Sequence, residues 1–489
     1  MKSTSFFSNF LPSQRILDRK ILLRILLVTL TILLAGLASA FLLPRVARGN
    51  VYPTIVLAAI FTILPGLLLI RYQNLGMIAL IPATLIVPFS IGTGSESSIN
   101  AVMILLVALI GLWFLTLITQ KKLAPFRPLR LEIAILVFMG LAIFSFAFGQ
   151  LPWFYAQHAP IRAQIGGLAI FILCGGAFLL MDYRLKSIRI LEWITYLFLV
   201  LGAVYIAGSV IPRVSQVVER FYSSGASGSL FWTWLVAIAF SQALINKKLS
   251  LPARIAIFIL VVITIFSAFV LDQGWTSGWL PPLIALGVIL FVYAPSRWRI
   301  PLIILAVALA FIQKNTIYNA LLAGDNQYSL TTRLAAWTIL FRIIGANPLF
   351  GVGPANYYWY TPLFPIMGYS VVFNSHNNLV DILAETGIIG LAGFFWFFAE
   401  VGLYIWRLRS KVPEGFARAY MIGAFGGLIG TLIATMFGDW VIPFVYNIGF
   451  KGFRASVLGW IFIGGAIALG KIIQQDKAKD AFESRINGG

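Results

Sequence analysis

Arg333 and His376 are the two side chains whose type and surroundings could do chemistry on an anionic substrate. Both lie in one stretch, Thr331 to Gly390, which gathers polar residues inside an otherwise greasy chain; such clusters mark function in apolar sequences. Leu334, Trp337, Phe341 and Ile344 fall at helical spacing, predicting an amphipathic helix that Thr331 caps and Asn347-Pro348 ends. Arg333 then sits in the first turn, where a guanidinium beside free backbone N–H groups suits a phosphate. The same residue type also snorkels to lipid headgroups, so both readings stand. Arg342, nine residues on, points to another side. Gly351-Val352-Gly353-Pro354 reads as a tight structural turn, because it lacks the spacing of a dinucleotide or phosphate-binding loop. Asn374-Ser375-His376-Asn377-Asn378 is a polar knot just ahead of a short amphipathic run, Leu379 to Glu385. Imidazole titrates near pH 6.5 when unperturbed, so it can take a proton at neutral pH. A lone histidine is usually structural; the company of His376 is what raises it. Asp381 and Glu385, at i and i+4, could orient the site or merely solvate a helix face.

The elements that must hold these residues are membrane helices. Sixty per cent hydrophobic residues, eleven per cent charged and a mean hydropathy of +0.93 exclude an ordinary soluble protein. Continuous apolar runs exclude an outer-membrane barrel, whose strands alternate. The expected fold class is an all-α polytopic membrane protein with about 12–14 spans. Fourteen candidates run roughly over 21–43, 51–70, 76–90, 99–120, 131–149, 163–182, 187–211, 228–246, 253–271, 277–293, 299–313, 387–406, 417–438 and 453–473. The basic N-terminus ahead of Ala38-Ser39-Ala40 resembles a signal peptide, but its apolar run from Ile21 to Leu43 is longer than one, so it reads as a first membrane helix. Cys174 is single and lies in an apolar run, which excludes an intrachain disulfide.

A net charge of +20 invites a nucleic-acid reading. Topology accounts for it instead. With the N-terminus inside, 26 of 36 lysines and arginines fall in inside loops and tails, as insertion favours. Both termini are then cytoplasmic and the segment 315–386 faces outward. Ten cations remain outside: Arg45, Arg48, Arg162, Arg213, Arg220, Lys314, Arg333, Arg342, Lys451 and Arg454. Several of them lie against the insertion rule, which suggests that some have a job, such as binding an anionic ligand. Tyr357, Tyr358, Trp359, Tyr360, Phe364 and Phe373 suit the headgroup belt. His158, near Arg162, reads as structural or interfacial. Asp439, Trp440, Lys451 and Arg454 read as interface anchors, and Asp272 has no role.

The run Arg333…Trp337, Asn347-Pro348-Leu349-Phe350-Gly351-Val352-Gly353, Asn356, His376-Asn377…Leu379…Glu385-Thr386-Gly387…Gly390 resembles the signature of the O-antigen ligase and polymerase superfamily. About sixty residues carry the close likeness. It implies a GT-C-type architecture with one large extracytoplasmic loop between late helices: 1–314 as helices 1–11, 315–386 as the loop, and 387–489 as the last three helices and tail. The family-like domain would span about 215–400. It also implies a metal-independent, inverting glycosyltransferase without cofactors, moving a glycan from undecaprenyl diphosphate to a hydroxyl on a glycan, lipid or protein. His376 would be the general base. Arg333 would hold the donor diphosphate with Arg220, which precedes a short small-residue motif, and Arg213 stands in reserve. Asn377, Glu385, Trp337 and Gly353 would support them. The extra N-terminal spans and the aromatic stretch before His376 depart from the family pattern. The alternative is a membrane transporter of lipid-linked sugars or of a small anion such as bicarbonate; it should carry mid-span charges, which are few here.

Overall fold

The computed structural model describes residues 73–92, 98–119, 129–223, 225–271, 275–312 and 327–487. The first two expected spans, 21–43 and 51–70, lie outside these residues, as do Arg45, Arg48, Asp272 and Lys314. The chain runs α1 (Gln73–Leu85), a small antiparallel pair β1 (Ser90–Gly92) and β2 (Ser98–Asn100), then α2 (Ala101–Thr119), α3 (Arg130–Phe148), α4 (Ile161–Arg184) and α5 (Ile188–Val210). Next come the short α6 (Pro212–Phe221), α7 (Ser229–Ile245), α8 (Leu251–Phe266), α9 (Thr276–Tyr293) and α10 (Ser296–Ile312). The late elements are α11 (Gln327–Ile344), α12 (Asn356–Tyr360), α13 (Asn378–Leu408), α14 (Phe416–Ala434) and α15 (Gly449–Asn487).

Among the described residues nine helices are long and apolar enough to cross a membrane. This is a multi-pass, all-α membrane protein, because only helices satisfy their own backbone hydrogen bonds in lipid without a closed barrel. Helix α15 is the hub: 94% of its apolar window is buried, against 22% for α8 at the lipid-facing periphery. It packs on α4 and α7, while α13 lies along α3 and α14 fills the space between α7 and α9.

The two ends of the bundle are built differently. At one end Lys471 of α15 bridges Glu132 of α3 and lies 2.7 Å from Asp182 of α4. Its ammonium also lies over the Tyr183 ring. At the other end Arg454 donates to the carbonyls of Ala83, Thr84, Val87 and Phe89 at 2.8–3.4 Å, capping the end of α1. The sequence grouped Arg454 with surface anchors; it is buried and engaged by carbonyls.

Two local expectations for α11 are corrected. It starts at Gln327, so Thr331 lies inside it rather than capping it. Its buried face is Ala336, Ile339, Leu340, Ile343 and Ile344, whereas Leu334 and Phe341 are 50% and 53% exposed. In a chain with lipid-facing surfaces, apolarity alone does not say which face meets protein.

Candidate functional site

The glycine-rich turn and the break in α13 form one interlocked unit. Gly387 adopts φ 70°, ψ −174° and splits α13 into a short leading helix and a long one. Across the break, Val352 and Gly353 donate to the carbonyls of Ala384 and Glu385, while Ile388 and Ile389 donate to Pro348 and Leu349. The backbones approach closely enough that glycine is required. A Cβ on Gly351, itself at φ 71°, would lie 2.6 Å from the Ala384 oxygen, and one on Gly387 would overlap the Leu349 carbonyl. Asn347 closes the turn by donating to Gly351 O at 2.8 Å. Asn356 ties it to the loop after α3, donating to Gly149 O at 3.0 Å and accepting from Ala159 N at 3.0 Å. Gly353 sits in this seam at φ 89°, against Gly149.

This frame holds the leading helix of α13 and its cap. Asn377 is the N-cap, its side chain accepting from Leu379 N at 2.9 Å and Val380 N at 3.3 Å. Ser375 is buried and donates to Asp381 Oδ1 at 2.5 Å, while Tyr357 donates to the same oxygen at 2.5 Å. Trp337 of α11 reaches across and donates to Ser375 O at 2.9 Å. Between two buried residues, His376 alone turns outward, exposed and at φ 49°. A non-glycine residue in the left-handed region costs energy unless its neighbours impose it, and here they do.

Asp381 and Glu385 do not solvate a helix face: they are 2% and 3% exposed. Glu385 accepts from Ala355 N at 2.7 Å, at the left-handed Ala355 that starts α12. Asp381 Oδ2 is buried with no partner among protein atoms. The headgroup-belt reading is also corrected for Tyr357 and Tyr360, both fully buried. Tyr357 stacks on Phe444 at 4.6 Å, Tyr358 stacks on Tyr446 at 4.6 Å, and Trp359 donates to Tyr446 Oη at 2.8 Å. These rings form a second core over the membrane helices, so their amphipathic character serves internal packing. Burial and the nearby Asp381 carboxyl raise the Tyr357 phenol well above its usual range. His158 has a structural partner, its Nδ1 lying 2.9 Å from Tyr360 Oη.

Sequence reasoning missed the loop between α14 and α15. Asn377 reaches Met436 O at 3.4 Å, and Asn378 donates to Ile442 O at 2.7 Å while accepting from Val441 N and Ile442 N. Asp439 organises this loop through Phe444 N at 2.7 Å and Asn447 Nδ2 at 2.6 Å. Burial lifts the Asp439 carboxyl to about 6, with those donors opposing the rise. Paired asparagines and an isolated Asp-Trp carried the only signal, and long-range pairing of this kind has no sequence spacing to betray it.

Of the two predicted arginines, Arg333 lies in α11, the helix whose Trp337 braces the knot; its side chain lies outside the described residues. Arg220 is exposed in the last turn of the strongly amphipathic α6. Arg213 is exposed in the first turn of α6. Among the described residues neither Arg220 nor Arg213 forms an ion pair.

In comparison with known families, residues 260–395 match the family described as O-antigen ligase. That range takes in α11, the interlocked turn, His376 and the break in α13. No curated protein matches the chain.

Proposed function

We propose, from the match of residues 260–395 to the O-antigen ligase family, that this chain is a ligase or polymerase of undecaprenyl-diphosphate-linked glycans. The observation that carries the reading is the placement of His376. An exposed imidazole stands on a strained residue whose neighbours on both sides are locked by Asn377, Ser375, Asp381, Tyr357 and Trp337. A rigid mount of this kind is what a base needs to meet a hydroxyl in one geometry.

The reaction balances without a redox partner. One imidazole nitrogen takes the acceptor's O–H proton as that oxygen attacks the anomeric carbon of the donor. The bond from that carbon to the diphosphate breaks, and the diphosphate leaves with the bonding pair. Attack opposite the leaving group inverts the anomeric centre. Arg333 and Arg220 neutralise the charge that grows on the leaving group, which is electrostatic stabilisation aimed at the transition state. Asn377 and Trp337 position the base, and Gly353 and Glu385 hold the frame beneath it. An extracytoplasmic site at the membrane surface suits a donor whose polyprenyl tail stays in lipid.

The test uses purified full-length protein with an undecaprenyl-diphosphate-linked glycan and acceptor. His376→Ala should slow release of undecaprenyl diphosphate by about 10²–10⁴-fold, the usual worth of a general base. Its melting temperature should stay within a degree or two of wild type, because the imidazole is exposed. Full activity in that variant refutes the assignment. Arg333→Ala should raise the donor KM more than it lowers kcat.

A further inference from the structure

A cavity of about 380 Å³ opens at the same end of the bundle as His376, where α7, α9 and α15 begin. That volume falls in the range of about 300–1,000 Å³ typical of small-molecule sites. Its walls are aromatic. Tyr205, Trp232, Trp275 and Trp440 line it in a continuous series of edge-to-face rings, with centroids 6.2, 6.3 and 5.7 Å apart along the series. Glycines make room for these rings. Trp440 lies on Gly228, where a Cβ would come within 2.8 Å of the indole, and Trp275 lies on Gly278 so closely that a Cβ there would overlap it. The Nε1–H of Trp440 is buried on the Gly438 side of the ring, with no acceptor among the described residues.

One cation completes the wall. Lys451, in the first turn of α15, is exposed at the cavity, and among the described residues no carboxylate lies within ion-pair distance of it. Its backbone is pinned by Gly225 of the same wall, which at φ 81° packs so that a Cβ would lie 2.6 Å from Lys451 O. Gly225 belongs to the loop that follows Arg220. The remaining wall, from Trp440 to Asn447, is the same loop whose Met436 and Ile442 carbonyls hold Asn377 and Asn378 beside His376. The cavity and the base therefore share one structural element.

We propose that this cavity is a carbohydrate subsite that takes a pyranose bearing a carboxylate, a uronic-acid type of residue in the glycan substrate. Indole faces match the C–H faces of a pyranose, an apolar contact with some electrostatic attraction. The exposed ammonium of Lys451 matches a carboxylate on the ring. The subsite rests on the glycan-transfer reading above and adds to it a selection of sugar chemistry that neither His376 nor the arginines supply.

The test is saturation-transfer NMR and fluorescence titration of the full-length protein in detergent with three probes: cellobiouronic acid, cellobiose and inorganic pyrophosphate. Cellobiouronic acid should bind most tightly. Lys451→Ala should weaken it by about tenfold, to the level of cellobiose, consistent with loss of one hydrogen bond between charged groups. Trp275→Ala should weaken both disaccharides, with Trp275→Phe retaining part of the affinity. His376→Ala should bind all probes as wild type does. Equal affinity for the two disaccharides overturns the acidic-sugar assignment. Pyrophosphate displacing cellobiouronic acid from wild type but not from Lys451→Ala makes the cavity a phosphate site and overturns it as well. The two readings fail separately: transfer that persists in His376→Ala removes the catalytic reading while sugar binding stands. Transfer with wild-type donor KM in both Lys451→Ala and Trp275→Ala removes the subsite while the catalytic reading stands.

Discussion

The protein buries acidic residues at both ends of its helical bundle and satisfies them in opposite ways. At the Lys471 end, Glu132 and Asp182 share one ammonium. At the His376 end, Asp381, Glu385 and Asp439 are buried as deeply, yet each is met by hydroxyl, amide or backbone N–H donors and none by a cation among the described residues. The two ends lie about 33 Å apart along α15, from Gly449 to Lys471, roughly the depth of a bilayer core. The contrast teaches what each end is for. An ion-paired end is closed, its charge spent on holding three helices together. The other end satisfies its acids with neutral donors and leaves Arg220 and Lys451 exposed, the two cations to which the proposed readings assign anionic parts of the substrate.

The sharpest way to break this comparison is to remove the shared cation. Lys471→Ala should destabilise the protein by about 3–5 kcal/mol, because it leaves two buried carboxylates uncompensated. Lys471→Met combined with Glu132→Gln and Asp182→Asn should recover most of that loss in thermal melts. If the single variant melts like wild type, the ion cluster is not what closes that end.

Asp381→Ala should cost less, about 1–3 kcal/mol, the penalty of leaving the buried Tyr357 and Ser375 hydroxyls without their acceptor. Its larger consequence should be kinetic, since the cap residues flanking His376 lose their brace. kcat should fall while donor KM holds, and Asp381→Asn, which keeps one acceptor oxygen, should recover part of the rate. A variant with unchanged kcat would mean that the knot is not needed to aim the imidazole.

The smallest effect belongs to Asp439. Its folded-state value of about 6 lies above the ordinary 3.8, so the folded protein holds a proton that the unfolded chain releases between those values. The Asp439 contribution to stability should therefore fall as pH rises from about 4 to 6 and level off above. Asp439→Asn should flatten that slope in melts taken across the window. A slope over that window that Asp439→Asn leaves unchanged would contradict the burial-driven shift.

Much of this architecture was legible beforehand. Long apolar runs dictate helices in lipid, because nothing else satisfies the backbone there. The structural reading of Gly351 to Pro354 followed from its glycines, and the interlocked carbonyls explain why that turn needs them. The wrong readings share one cause. Tyr357 and Tyr360 were assigned to a headgroup belt, and Leu334 and Phe341 to the apolar face of an amphipathic helix, from side-chain character alone. A ring or an aliphatic chain is equally at home against lipid and against protein, so composition does not separate the two.

The sequence by itself determined that this is a multi-helix membrane protein, with its ordered Arg333, His376, Glu385 and Gly387 signature within one stretch of chain. Tertiary structure alone decided that Asp381 and Glu385 are buried supports, that Arg454 caps α1, and that the 436–447 loop clasps the residues beside His376 while walling the tryptophan cavity. Those outcomes depend on contacts between residues as much as 371 positions apart. Local periodicity reports how a segment folds on itself; only the packing of helices determines which distant donors and acceptors meet.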